Sequence, residues 1–103
     1  MQQHLTLPAE LTIYSVGELR PQWLAWLNRC RADKNGAFVE AGAVAEVDAA
    51  GVQLLLSLAR QMQAEQRPMT VLNASAALVT ACGALGLSAL LDTLRAEEYG
   101  HGQ

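Results

Sequence analysis

Three carboxylates, Glu40, Glu46 and Asp48, fall in one short segment of the chain. Brought to one edge of a fold, they could bind a hard cation or exchange protons with a substrate. Their spacing also admits a plainer reading, with Asp48 capping a helix and Glu46 as a solvated strand residue. Histidine chemistry has little to draw on, because His4 and His101 stand in the two end segments, far from any partner base or nucleophile. Cys30 and Cys82 belong to no CxxC or Cys/His grouping, and each lies on an apolar helical stripe, where a thiol packs as core. Gly83-Ala84-Leu85-Gly86 is too poor in glycine for a phosphate loop, and no lysine follows a glycine-rich turn. No catalytic residue, metal site or cofactor is assigned on these patterns.

The elements that position these residues follow from length and patterning. A chain of 103 residues is about one small domain. Its 51% hydrophobic content, with 18 Ala and 17 Leu, provides a core and excludes wholesale disorder. Seven Lys and Arg stand against ten Asp and Glu, a net charge of −3, so nucleic acid is not expected as a partner. The first residues lack the basic and apolar runs of a secretory signal, and no window suits a membrane span. The expectation is a cytoplasmic protein with no direct membrane insertion.

Residues 5–14 alternate apolar and polar around Pro8 and Ala9, as in a strand or short hairpin. Val16, Leu19, Trp23, Trp26, Leu27 and Cys30 then recur at helical spacing, predicting a helix over 15–32 opened by a Ser15/Glu18 capping box. Pro21 predicts a bend, or a start nearer Arg20. One tryptophan is expected to pack and the other to be partly exposed. Lys34-Asn35-Gly36 reads as a turn, Ala37–Ala41 as a buried strand, and Val44 to Val47 as a shorter one. Asp48 caps a second helix with a wide apolar face, ended by Arg67-Pro68. Met69–Leu72 is another strand, and Asn73 or Ser75 caps a third helix that Gly86 closes. Leu87 to Leu94 packs as a strand or helix, followed by a polar tail. The expected organisation is a single domain over 1–94 and a fraying tail over 95–103. Alternating helices and strands predict an α/β fold: a four- to five-stranded mixed, mostly parallel sheet, with antiparallel pairing at the amino end.

The most informative stretch is Val39 to Leu55. A buried strand, a short loop, a second strand, a capping Asp and a helix opening on small residues would leave free backbone amides beside alanine side chains. Such a surface lets another backbone approach closely.

Here the chain resembles the STAS domain family, named for sulfate transporters and anti-sigma factor antagonists. The residues that carry the resemblance are Val39-Glu40, the small-residue loop, Val44, and Val47-Asp48-x-x-Gly51 opening a Leu-rich helix. It extends to Leu11-Thr12-Ile13, the helix from Val16 to Leu27, the Met69–Leu72 strand and the Leu85-Gly86-Leu87 helix ending. It implies helices largely on one face of the sheet. It also implies a non-enzymatic regulatory module that docks a protein through Asp48, Ala49, Ala50, Gly51, Val52 and Gln53, with Ala43 and Glu46 beside them. The implied partner is a kinase-like anti-sigma factor, a response regulator or a chemotaxis protein. The run from Val47 to Leu56 also resembles the cytoplasmic STAS subunit of the phospholipid-transporting ABC system, for which the partner would be an ABC ATPase. Two departures stand out. Switchable members carry a phosphorylated Ser or Thr directly after the Asp, where this chain has Ala49, and Glu40 replaces the more usual Asp. Phosphate there would add nearly two negative charges at a helix start beside Asp48, and without a hydroxyl that switch cannot operate.

Overall fold

A computed structural model of the chain describes residues 3–30 and 36–100. The chain order is β1 (Gln3–Thr6), β2 (Glu10–Leu11), α1 (Val16–Arg29), β3 (Ala37–Glu40), β4 (Glu46–Val47), α2 (Ala49–Ala64), β5 (Met69–Leu72), α3 (Ala76–Ala84) and α4 (Ser88–Gly100). The described strands form two sheets, one in the order β1-β3-β5 and one of β2 with β4.

Every strand pair among the described residues is parallel, so the antiparallel pairing expected at the amino end does not form. The cause lies at Pro8. The Leu7 amide still donates to the Glu40 carbonyl at 2.9 Å, and Pro8, with φ held at about −65°, follows where that ladder ends. The chain instead crosses to the second sheet, where the Ala9 carbonyl accepts from the amides of Ala45 and Glu46. The alternation in residues 5–14 thus belongs to two short strands in different sheets.

Strand register divides the larger sheet into two faces. Leu5, Val39 and Val71 lie in one row, with Ala37 and Met69 on the same side. Val39 and Val71 are fully buried, and the row forms the floor of the core. The opposite side carries His4, Phe38 and Thr70 in register, with His4 exposed and its ring edge-on to Phe38 at 5.3 Å. That second side is exposed at His4, half-buried at Phe38 and buried at Thr70.

Helix α1 runs through Pro21 without ending. The missing amide would have bonded to the carbonyl of Gly17, which is exposed and reaches water, so the loss is cheap there. The capping box does not form. Ser15 Oγ donates to the Glu10 and Thr12 carbonyls and accepts from the Thr12 amide, holding the turn before the helix instead of its first amides. Trp23 and Trp26 are both buried, each 3% exposed, because both face the core; the large apolar residue α1 leaves outside is Leu24.

Helix α2 buries Val52, Leu55, Leu56, Leu58, Ala59 and Met62, the wide stripe expected of a helix covered on more than one side. It ends before Arg67-Pro68. Gln66 takes φ 58° and donates to Gln63, while the Arg67 amide reaches back to the Met62 carbonyl at 2.9 Å, a Schellman ending with glutamine in the left-handed position. Helix α3 closes the same way on Gly86, with its start capped by Ser75 Oγ, which accepts from the Leu78 amide at 3.1 Å. Arg67 is itself buried. Its guanidinium donates to the Cys30 carbonyl at 2.7 Å and to Glu65 at 2.6 Å, joining the ends of α1 and α2.

Of the stretch from Leu87 to Leu94, all but Leu87 is helical, with Leu91 buried, and α4 packs against β5. It continues through Gly100, so a boundary after residue 94 falls inside a helix. Lys34, Asn35 and His101 lie outside the described residues. Among the described residues no helix is long and apolar enough to cross a membrane.

Candidate functional site

Asp48 stands where β4 ends and α2 begins, and its carboxylate is shared between two elements. Oδ1 accepts from the Gly51 amide at 3.0 Å, which is the helix cap, and Oδ2 accepts from the Ile13 amide at 3.0 Å, in the loop after β2. The Ile13 amide foremost, then that of Gly51, hold the carboxyl below its ordinary value of 3.8, against a smaller opposing effect of burial. One of the amides expected to be free at the helix start, that of Gly51, is therefore already engaged by Asp48.

Gly51 has a different role from the one its place in the motif suggests. A Cβ there would overlap the Leu11 carbonyl, with the carbonyl carbon at 2.6 Å, so only glycine lets α2 start against the end of β2. Gly51 and Val52 are both buried, and neither can touch a docking partner; Val52 faces the core. Of the residues implied by the resemblance, Ala43, Glu46, Ala49 and Gln53 are exposed, and Asp48 and Ala50 are half-buried.

Four of them, Glu46, Asp48, Ala50 and Gln53, line two grooves. The larger, about 690 Å³, lies between the β2-β4 sheet and α3 and is lined by Glu10, Thr12, Tyr14, Glu46 and Asp48 against Ala77, Thr80, Ala81 and Ala84 of α3. The smaller, about 340 Å³, lies between α1 and α2 and includes Ala50 and Gln53 with Val16, Gly17 and Arg20. Helix α2 therefore begins on the ridge between an acidic groove and one whose charged residue is Arg20.

Sequence reasoning missed the loop from Thr12 to Ser15. Thr12 Oγ1 donates to Glu10 at 2.6 Å and accepts from the Tyr14 amide at 3.2 Å, and with Ser15 Oγ and Asp48 this fixes the loop from both sides. Ile13 and Tyr14 are turned outward, 60% and 88% exposed. The available signal was two large apolar residues in a turn, a position polar residues usually take.

The three carboxylates do not converge. Glu40 accepts from Asn73 Nδ2 at 3.0 Å and from the Gly42 amide at 3.1 Å, closing the ends of β3 and β5 away from Asp48. Among the described residues no group of three His, Cys, Asp or Glu is placed to hold a metal ion. Cys30 and Cys82 are both buried free thiols, and burial pushes the Cys82 thiol up from its ordinary value.

A family model described as Mlab, STAS domain, matches residues 1–92. No curated protein and no solved structure matches the chain.

Proposed function

Because the chain belongs to the STAS domain family, we propose that it is a non-enzymatic regulatory module that docks a signalling protein on the surface around Asp48, Ala49, Ala50 and Gln53, with Glu46 and Ala43 beside it. The observation that supports the reading is the Asp48 carboxylate, which accepts from Ile13 and Gly51 together. It ties the helix start, with its small residues Ala49 and Ala50, to the loop that exposes Ile13 and Tyr14. Partners of the family's signalling class, a kinase-like anti-sigma factor, a response regulator or a chemotaxis protein, would meet a surface that phosphorylation at position 49 cannot alter, since residues 49 and 50 are both alanine.

Ala49 is exposed, so Ala49→Trp should fold as the wild type does while blocking close approach. Tagged wild-type and Ala49→Trp proteins used as bait in native lysate are expected to differ by loss of one protein, identified by mass spectrometry, with unchanged circular dichroism. Equal recovery by a folded Ala49→Trp variant would remove this surface from consideration.

A second reading takes an ABC ATPase as the partner, following the resemblance to the phospholipid-transport STAS subunit. The alanine at position 49 favours it to this extent: a partner held permanently needs no releasable switch. It predicts a stoichiometric complex on co-expression with the cognate ATPase, and two proteins that elute separately would exclude it.

A further inference from the structure

The larger groove carries a charge pattern that names its occupant more closely. Glu10, Glu46 and Asp48 line it, no Lys or Arg among the described residues does, and Tyr14, almost wholly exposed, lines it with them. The opposite wall is helix α3 presenting Ala77, Ala81 and Ala84, with Thr80 as its polar group. We infer that this groove receives an arginine-bearing helical segment of the partner protein. This deepens the docking function proposed above and rests on it. An arginine suits the acidic end better than a lysine. Its planar guanidinium can lie on the Tyr14 ring while its N–H groups donate to carboxylates on the rim. Asp48 has both oxygens engaged by backbone amides, and Glu10 already accepts from Thr12, so exposed Glu46 is the principal acceptor. The alanine wall sets the rest of the requirement. With no long side chain on α3 at those positions, a helix whose contacting face is also small can approach closely, whereas a bulky face would be held off. Negative charge in the groove disfavours an acidic segment and steers a basic one toward it.

The probe is an alanine-based peptide of about 17 residues, long enough to hold helix, with arginine at every fourth position. A glutamate version serves as control. Each is titrated into the ¹⁵N-labelled full chain and followed by amide chemical shifts. The arginine peptide is expected to shift Glu46, Tyr14, Thr80 and Ala81, and raising salt to ~0.5 M should weaken it. The double variant Tyr14→Ala, Glu46→Gln, altered only at exposed positions, should lose affinity by about fivefold or more while its spectrum stays dispersed. Absence of shifts, shifts confined to the α1–α2 groove, or equal binding of the glutamate peptide would overturn the inference. A cellular partner lost on Ala49→Trp but unaffected by Tyr14→Ala, Glu46→Gln would also overturn it, while leaving the docking surface standing. A partner insensitive to Ala49→Trp would instead remove the docking reading.

Discussion

The Ile13 amide donates to Asp48 Oδ2 at 3.0 Å across 35 positions of sequence, so one carboxylate both caps α2 and anchors the loop that follows β2. An acid at the junction of a strand and a helix invites a catalytic or metal role. Here its oxygens are spent on backbone, and its effect on function is to hold the exposed loop and the helix start in a fixed relation.

The pH dependence of that anchor has a definite sign. The carboxyl is lowered in the folded chain, so its contribution is fully present above the ordinary value of 3.8 and is lost as pH falls through the folded value. Asp48→Asn keeps an oxygen able to cap but removes the charge. Urea melts at neutral and strongly acid pH should show a smaller acid-induced loss for the variant than for the wild type. An identical loss would mean that other carboxylates carry the acid sensitivity.

Two glycines should respond oppositely to alanine. Gly51→Ala forces the helix start away from the Leu11 carbonyl and is expected to cost about 1–3 kcal/mol. Gly17 lies in α1 with open space where a Cβ would go, so Gly17→Ala is expected to stabilise by up to about 1 kcal/mol. Denaturant midpoints of the two variants, moving in opposite directions from the wild type, would verify both.

Arg67→Met should be costly despite similar length and an apolar stem. It leaves the Cys30 carbonyl without its donor and Glu65 without the cation beside it. Breaking a buried charged arrangement from one side runs to several kcal/mol; with Glu65 16% exposed, about 2–4 kcal/mol is expected here. Arg67→Lys should recover only part, since one ammonium cannot span both acceptors as the guanidinium fork does. Thermal or urea unfolding of the pair gives the ranking.

Both thiols should be silent in the native protein. Cys30 and Cys82 are 1% and 4% exposed, and burial disfavours the Cys82 thiolate. Ellman's reagent at neutral pH should titrate neither until denaturant is added, then both. Rapid native reaction of one would show an opening of the fold at that helix.

What the sequence disclosed was what local chemistry decides. Asp48 and Ser75 cap helices because each side chain serves amides within its own turn, and Met69–Leu72 reads as a strand because nothing else suits so short an apolar run. Ser15 has the same cap signature and does otherwise, because Thr12 and Glu10 offer its hydroxyl a competing turn. The parallel pairing of Gln3–Thr6 with Ala37–Glu40 leaves no trace in the alternation of either strand. At the site, the residue types of the Asp48 motif were legible and their exposure was not. Gly51 and Val52 point inward because Leu11 lies against the helix start, a contact made by a segment far away in sequence. The exposure of Ile13 and Tyr14 went unread because their loop is held by Asp48 and Thr12, the first of them 35 positions from Ile13.

The central place of β3 has a consequence for synthesis. Among the described residues β1 has no strand neighbour except β3, and its first residue pairs with Ala37. During translation at roughly 5–20 residues per second, the amino-terminal strand therefore waits about 2–7 seconds between its own emergence and that of its first partner. Throughout that interval the nascent chain can form α1 but no part of the sheet that α1 will cover, so factors that bind emerging chains meet Leu5, Leu7 and the two tryptophans uncovered.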